Sequence, residues 1–425
     1  MEIKAMRHIT HPALLALPLL ILAGCNSSSD TPTATSTVTP QTKTVFSVIG
    51  DTPYGTSPTD VAQLNANPAF IEAINKESNL SFVAHVGDTH SGKQYCTQNY
   101  NVTILNQWAG FKIPLIYTPG DNEWADCHKA KEGGGTYNAT TGAIDYVVDG
   151  SGNLVDYAGG DPLANLDLIR SLYFSNPGKA FGSTLTVHSQ ALEFDKANPT
   201  DNAMVENVWW MDPAGVLFVT VNIPGGSNNG TDPWYGAPTM SPTQAQNVAN
   251  RSAAVLRWLD TAFAQAKANN AKSVVIFTQA DMWDNDGATP AHLTQYKQYI
   301  DKMAANSLSF GKPVLLFLGD SHIYRSDNPL VKGAPCFIEP APGAIAIACT
   351  DSAASNSLTK YKNPTDPYLN QPNGYNVPNF HRVVVHGETV PVEYLKVTFD
   401  SSVNLPTTAS SFGPFSWTRV NPKVN

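Results

Sequence analysis

Four glycine–aspartate pairs in the sequence each follow a short run of apolar and β-branched residues. The aspartates of these pairs are Asp51, Asp88, Asp121 and Asp320. A single pair of this kind is typical of a turn or a helix N-cap, as Gly160-Asp161 illustrates before the helix predicted over 163–172. Four carboxylates brought to one place would raise each other's pKa and destabilise the fold. A hard cation removes that conflict by taking carboxylate and amide oxygens as ligands, so the four pairs together predict a metal site.

The strands that must position these aspartates are predicted from the apolar runs, and the helices from the amphipathic segments between them. Strands are predicted at 44–49, 82–86, 115–118, 273–277 and 314–318. Helices are predicted at 59–76 and 242–267, and strand pairs at 204–211 with 216–221 and at 380–387 with 392–400. The alternation of strands and helices predicts an α/β core in one large domain, with ligands bound beyond the carboxyl ends of the strands.

Composition narrows the class of protein. The chain has 425 residues, of which 42% are hydrophobic, and this level excludes wholesale disorder. Charged residues make up 14%, against about 25% in typical soluble domains, and polar uncharged residues replace them, as is typical of exported proteins. The net charge of -9 leaves no basic surplus to meet phosphate backbones, so no nucleic-acid-binding surface is expected.

The N-terminus predicts export. Lys4 and Arg7 precede an apolar run over 13–24, which is too short to span a membrane and suits the core of a signal peptide. The run ends in Leu22-Ala23-Gly24-Cys25, which resembles a bacterial lipobox and implies cleavage before Cys25 and lipidation of its thiol. Ordinary secretion with cleavage nearby is the alternative. We therefore predict a signal peptide at 1–24, a lipidated cysteine and Ser/Thr-rich tether at 25–43, and a folded domain at 44–425. The domain is expected to be lipid-anchored to a membrane of the bacterial cell envelope and exposed to the periplasm or the exterior.

Four cysteines remain beside Cys25, an even number that suits disulfides in an oxidising compartment. Their spacing favours Cys336–Cys349, which leaves Cys96–Cys127 as the second pair. The sequence has no C-x-x-C pair, which argues against a zinc site built from thiolates.

The order and spacing of the acidic motifs resemble those of the calcineurin-like (purple-acid-phosphatase-like) metallophosphoesterases. The motifs of that family run D-x-H, G-D-x-x, G-N-H-[ED], a lone histidine after a strand, and G-H-x-H. Asp51 aligns with the first aspartate of this series and Asp88 with the aspartate that bridges the metals. The resemblance covers about 45–400 and implies a sandwich of two mixed β-sheets flanked by helices, with two divalent ions at the motifs.

Several positions of that pattern hold other residues in this chain. Pro53 occupies the histidine position of the first motif. The third motif places Asp121 at the ligand and Asn122 at the catalytic histidine, whereas a shift by one residue would make Asn122 the ligand. Gln279 lies at the position of the lone histidine. In the last motif, Asp320 replaces one histidine and His322 retains the other.

The resemblance implies a phosphoesterase that hydrolyses a small phosphorylated substrate, a monoester or a diester, through a metal-bound hydroxide. Because the ligand set is rich in oxygen, Mn²⁺, Mg²⁺ or Ca²⁺ is favoured over Zn²⁺, and iron is also compatible. His90 and His128 are candidates for the missing general acid, with a solvated loop histidine as the alternative for each. Arg325 is a candidate phosphate clamp or an ordinary surface ion pair, and His85 is expected to be structural.

Two other functions compete with this hypothesis. The missing histidines favour a metal- or ligand-binding lipoprotein that keeps the fold without turnover. Residues 317–321 also resemble the G-D-S block of SGNH-type serine esterases. That block normally opens the domain, whereas here it lies late in the chain and no D-x-x-H follows it, so this class is not expected.

Overall fold

Two mixed β-sheets pack face to face, and helices cover both outer faces of this sandwich. The computed structural model describes residues 41–284, 294–358, 374–390 and 392–424. The predicted signal peptide, Cys25 and nearly all of the tether lie outside the described residues, and the described residues fall in one unit that starts at residue 40. Among them, no helix combines the length and the apolar composition that a membrane span requires.

The described secondary structure agrees with an α/β domain. In chain order, the strands are β1 (Lys43–Ile49), β2 (Leu80–His85), β3 (Leu115–Tyr117), β4 (Gly135–Tyr137), β5 (Ile144–Tyr146), β6 (His188–Ser189), β7 (Val208–Met211), β8 (Val216–Thr220), β9 (Ser273–Phe277), β10 (Val314–Leu318), β11 (Arg325–Asp327), β12 (Cys336–Ile338), β13 (Ile347–Ala348), β14 (Phe380–Val384), β15 (Tyr394–Asp400), β16 (Leu405–Thr408), β17 (Ser411–Gly413) and β18 (Phe415–Val420). The longer helices are α1 (Ala62–Asn75), α2 (Gln98–Trp108), α3 (Pro162–Tyr173), α4 (Pro242–Ala268) and α5 (Lys297–Phe310). Short helical segments cover Ala130–Glu132, Tyr157–Gly160, Gln190–Glu193, Pro199–Ala203, Gly225–Asn228, Trp234–Gly236, Ser352–Ala354 and Ser355–Leu358.

The second sheet has a parallel centre between antiparallel edges, whereas the parallel strands of the first sheet lie at one of its ends. The first sheet has the order β16-β17-β18-β15-β1-β2-β3, and β1, β2 and β3 are parallel neighbours. The second sheet has the order β13-β12-β11-β14-β10-β9-β8-β7-β6, and β14, β10, β9 and β8 are parallel. A separate two-stranded ribbon pairs β4 with β5. Within each sheet, the carboxyl ends of the parallel strands therefore lie on the same side, where loops can bring functional side chains together.

Aromatic residues join the inner faces of the two sheets. Phe46 of β1 and Phe82 of β2 stack with ring centroids 5.0 Å apart, and Phe218 of β8 meets Phe46 edge-on at 5.2 Å. Phe277 of β9 is buried in the same cluster. Such ring pairs contribute about 0.5–1.5 kcal/mol each beyond the burial of their apolar area. The inner core thus holds the strand ends of both sheets in one rigid frame.

Helices bury the outer face of each sheet. Residues of α1, α2 and α3 pack on the first sheet, and residues of α4 and α5 pack on the second. N-capping side chains fix where two of these helices begin. At the start of α4, the Ser241 side chain accepts a hydrogen bond from Gln244 N. Asp161 likewise accepts from Ala164 N at the start of α3, as the sequence predicts for this pair.

Most of the predicted elements are confirmed, with small differences in bounds, and so is the expected sandwich of two mixed sheets flanked by helices. The antiparallel pair of β7 and β8 is also confirmed. The second predicted pair, 380–387 with 392–400, is wrong. Strand β14 pairs with β10 and β11 in the second sheet, whereas β15 pairs with β1 and β18 in the first. The chain crosses from one sheet to the other between these strands because each finds a longer-range partner for its backbone.

Both predicted disulfides are present. Cys96 and Cys127 have Cα atoms 5.7 Å apart, and Cys336 and Cys349 have Cα atoms 5.4 Å apart. The first bridge joins the loop after β2 to the loop after β3. Two of the predicted acidic loops are therefore covalently tied together.

Candidate metal centre

The predicted site residues meet where parallel strands of both sheets end. The residues that follow these strands are Asp51, Asp88 and Asp121 in the first sheet and Gln279, Asp320 and His322 in the second. Several contacts cross between the sheets: for example, Asp320 N donates to Asp51 Oδ1 at 2.9 Å, and Gln279 Nε2 donates to Asp88 Oδ2 at 3.2 Å. The structure therefore brings these side chains together, although they are distant in sequence.

Tight turns aim the acidic side chains at the site. The backbone φ angles are 51° at Asp51, 58° at Asp88, 74° at Asp320 and 63° at His322, all in the left-handed region. This region is costly for residues other than glycine, and aspartate tolerates it better than most. Such strained turns are common at binding sites, where the surrounding fold enforces them.

Three of these side chains converge closely enough to hold one cation. The ligand atoms of Asp51, Asp88 and His322 lie within 4.8 Å of one another. Asp51 is fully buried, and its Oδ2 atom has no hydrogen-bond partner. A buried carboxylate oxygen without a partner is expensive unless a donor or a cation meets it. The donor set of two carboxylates and one imidazole therefore fits a divalent ion.

Tyr54 lies at the centre of this set, although sequence reasoning gave it no role. Its hydroxyl donates to Asp88 Oδ2 at 2.7 Å and lies 3.2 Å from His322 Nε2. Asn122 Nδ2 donates to the Tyr54 hydroxyl at 3.0 Å and to Asp88 Oδ2 at 3.1 Å. The position of Tyr54 in the loop after β1 was the only signal in the sequence that could have indicated it.

Glu388, in the loop after β14, was also missed because no motif surrounds it. Its Oε2 atom lies 3.2 Å from His322 Nδ1, and its Oε1 atom lies 3.2 Å from Lys93 Nζ. The hydrogen bond to His322 holds the pKa of Glu388 low, at about 2. With its Nδ1 proton donated to this carboxylate, His322 would offer the Nε2 lone pair to an ion beside Asp51. Carboxylates commonly orient metal-binding histidines in this way.

Asp121 and Asp320 face each other beside Gly225. A Cβ atom on Gly225 would lie 2.5 Å from Asp320 Oδ1 and 2.7 Å from Asp121 Oδ2, so only glycine fits between the two carboxylates. Gln279 Nε2 donates to Asp121 Oδ1 at 2.9 Å, and Asp281 N donates to Asp320 Oδ2 at 3.0 Å.

Burial makes the carboxylates of the site hard to ionise. It raises the pKa of Asp51 to about 6, although the nearby His322 opposes this effect. It raises the pKa of Asp121 to about 7, with repulsion from Asp126 as the next contribution. Burial, followed by repulsion from Asp121, also raises the pKa of Asp88 and of Asp320. A cluster that resists ionisation by itself is expected to attract a cation, because the cation supplies the missing opposite charge.

Glu123 braces the two loops that carry Asp88 and Asp121. Its Oε1 atom accepts hydrogen bonds from Thr89 N at 2.9 Å and from the Tyr117 hydroxyl at 2.8 Å. Its Oε2 atom accepts from Gly120 N at 3.1 Å. This buried carboxylate and the Cys96–Cys127 disulfide therefore fix the spacing between two of the acidic loops.

The candidate general acids His90 and His128 form their hydrogen bonds outside the cluster of carboxylates. Both are buried, so neither is a solvated loop residue. His90 is fully buried, with Nδ1 3.1 Å from Ser91 O and Nε2 3.8 Å from Cys96 Sγ. His128 is also buried, and its Nδ1 atom accepts from Tyr235 N at 2.9 Å. Burial lowers the pKa of both imidazoles, to about 4 for His128.

Arg325 and His85 lie within the core. Arg325 is buried in β11 and donates from Nε to Asp327 Oδ2 at 2.8 Å, in an ion-pair network with Arg382. His85 is buried at the end of β2, with Nε2 2.9 Å from Thr52 O and Nδ1 accepting from Gly87 N at 3.2 Å. His85 thus supports the turn before Asp88, as expected for a structural residue.

Several solved structures are similar to this chain. No family model and no curated protein matches this sequence. Among solved structures, the chain is similar to purple acid phosphatase PPD1 from yellow lupin (Lupinus luteus) seeds, with a TM-score of 0.34 and 12% identity. The match covers 84% of this chain and 50% of that chain, so this chain spans about half of the lupin protein's length. At this TM-score and identity, the similarity says nothing about the family, ligands or activity of this chain.

Proposed function

We propose that the protein is a metal-dependent phosphoesterase that hydrolyses a small phosphate monoester or diester. The observation that carries this proposal is the convergence of Asp51, Asp88 and His322, with the unpartnered Oδ2 atom of Asp51 buried among them. These three residues would hold a divalent ion, and the oxygen-rich set favours Mn²⁺, Mg²⁺ or Ca²⁺. Such an ion supplies Lewis-acid chemistry, by withdrawing charge from a phosphoryl oxygen and lowering the pKa of water.

The chain's own residues would orient the reacting groups. Asn122 Nδ2 and the Tyr54 hydroxyl meet at Asp88 Oδ2 and hold this carboxylate in one rotamer. Glu388 holds the imidazole of His322 through Nδ1, so that Nε2 faces the site. Because these contacts exist before a substrate arrives, the site is preorganised, which is how enzymes reduce the cost of reaching the transition state.

The exposure of the site residues favours the approach of a substrate past His322 and Glu388. Their side chains are 25% and 30% exposed, whereas that of Asp51 is fully buried. Both residues line a cleft of about 250 Å³, together with Ile323, Pro340 and Pro342. When the phosphoryl group of an ester substrate lies at the metal, its alcohol portion would therefore lie in this mainly apolar cleft.

The proposal is tested with the purified full chain, supplied with Mn²⁺ and assayed on p-nitrophenyl phosphate and bis-p-nitrophenyl phosphate. We expect turnover on at least one of them, and at least a 100-fold loss in the variant His322→Ala. The matched control is His188→Ala, because His188 is half exposed and pairs with Glu193 outside the site. Wild-type protein that binds Mn²⁺ without turning over either ester would refute the phosphoesterase proposal.

That negative result would favour a second candidate, a metal- or ligand-binding protein of the same fold without turnover. The observation behind this candidate is Asn122, which stands where the resemblance expects a catalytic histidine. Its amide donates to Asp88 and Tyr54 and cannot act as a general acid near neutral pH.

We also propose that the protein is exported and anchored by a lipid on Cys25, exposed to the periplasm or the exterior. The motif Leu22-Ala23-Gly24-Cys25 supports this location, and so do the two disulfides, which persist mainly in oxidising compartments.

A further inference from the structure

Gln279 lies between two carboxylates of the candidate metal centre, and both its amide nitrogen and its amide oxygen form hydrogen bonds there. The residue is fully buried at the end of β9. Its Nε2 atom donates to Asp88 Oδ2 at 3.2 Å and to Asp121 Oδ1 at 2.9 Å. Its Oε1 atom accepts a hydrogen bond from Gly225 N. The amide group therefore bridges the first sheet's carboxylates from the second sheet.

The orientation of this amide is fixed by its neighbours. A backbone N–H can only donate, so the group facing Gly225 must be the oxygen Oε1. The reversed amide would set its own N–H groups against Gly225 N–H and its oxygen against two carboxylates. The nitrogen of Gln279 therefore faces Asp88 and Asp121, and an N–H group cannot coordinate a cation.

The two halves of the site differ in what they offer a cation. Around Asp51, the ligand atoms of three side chains converge and one buried oxygen has no partner. Within the described part of the chain, neither Asp121 nor Asp320 belongs to a set of three converging carboxylate, histidine or cysteine ligands.

We propose that this site binds a single divalent ion, held by Asp51, Asp88 and His322, and that the Gln279 amide takes the place of a second ion. Two N–H donors link Asp88 to Asp121 where a bridging cation would otherwise balance their charge. This inference rests on the metal site of the proposed function and corrects the expectation of two ions. It also reverses the role expected for Gln279, which becomes a hydrogen-bond donor to the ligands and not a ligand.

The experiment measures Mn²⁺ bound per chain in the purified full-length protein, by elemental analysis after dialysis and by electron paramagnetic resonance. Wild-type protein is expected to bind one ion, with the spectrum of an isolated Mn²⁺. The variant Gln279→His, which places an imidazole at the bridging position, is expected to bind two ions with the spectrum of a coupled pair. Gln298→His is the matched control, because it adds a histidine to an exposed position of α5 and should leave one ion bound.

A second variant protects the test against a folding failure. Gln279→Glu keeps the size of the side chain and replaces the two donors by a carboxylate oxygen, so it too should bind a second ion. Two ions or a coupled spectrum in the wild type would overturn the proposal. So would a single ion in both Gln279 variants when circular dichroism shows them folded.

The outcome separates this inference from the proposed function. One ion without hydrolysis of either ester would leave the inference standing and refute the phosphoesterase. Hydrolysis by a protein that binds a coupled pair would do the reverse, and a wild type that binds no Mn²⁺ would refute both.

Discussion

Replacing Asp51 by asparagine should stabilise the metal-free protein at neutral pH while removing its response to metal. Burial raises the pKa of Asp51 from 3.8 to about 6. This rise in pKa corresponds to about 3 kcal/mol of penalty for holding the ionised carboxylate in the fold. Asparagine keeps an acceptor for Asp320 N and tolerates the left-handed φ of 51° at this position. Its new NH₂ group lies where Oδ2 has no partner, which costs about 1 kcal/mol, so the expected net gain is about 1–3 kcal/mol.

The sign of this effect depends on pH. Because the folded pKa of Asp51 lies above its unfolded value, the folded state binds more protons between about pH 4 and pH 6. The stability of the metal-free wild type therefore falls as pH rises through this window, and asparagine removes that fall. Variant and wild type should differ little in free energy of unfolding at pH 4, and most at pH 8.

The assay is urea unfolding of the full chain in EDTA at pH 4 and pH 8, and at pH 8 with excess Mn²⁺. The wild type should gain about 2.7 kcal/mol when free Mn²⁺ is 100 times its dissociation constant, and Asp51→Asn should gain almost nothing. Asp167→Asn, which changes an exposed carboxylate of α3, is the matched control and should follow the wild type. A metal-free Asp51→Asn that is less stable than the wild type at pH 8, or an unchanged response to Mn²⁺, would refute the reasoning.

Three further outcomes are expected. Glu388→Gln should weaken Mn²⁺ binding about 10–100-fold because it loosens the hold on His322, whereas Lys93→Gln, which removes the other partner of Glu388, should change it little; equal effects in a titration would contradict this role. Cys25→Ser should move the protein from the membrane pellet to the soluble fraction with its fold intact, and an unchanged pellet fraction would contradict lipid anchoring. Peptide mapping without reduction should recover Cys96–Cys127 and Cys336–Cys349, each contributing about 2–4 kcal/mol, and free thiols at these positions would count against export.

The sequence predicts the site as far as local patterns extend. Short apolar runs specify buried strands strongly, and a Gly-Asp pair after each run marks the turn that follows. This is why the positions of Asp51, Asp88 and Asp320 at strand ends could be predicted without a structure. Cysteine spacing similarly predicted both disulfides, because the number of cysteines leaves few ways to pair them.

The features that the sequence did not predict correctly depend on contacts between segments that are distant in the chain. Tyr54 and Glu388 belong to the site only because the loops after β1 and β14 meet across the two sheets, and a local sequence pattern does not show that two such loops meet. The strands at 380–387 and 392–400 resemble a hairpin in sequence, since their connection is short. Their pairing is decided by β10 and β1, which precede them by many residues and bury their backbones more completely.

Charge balance gives an independent reason to expect one ion. Asp51 and Asp88 as carboxylates, with a neutral His322, match the two positive charges of a single divalent cation. The donors at Gln279 Nε2 and Asp281 N then satisfy Asp121 and Asp320 without a second cation. Histidine at position 279 would remove the amide donors from Asp88 and Asp121, which is why this single position is expected to decide how many ions the site holds.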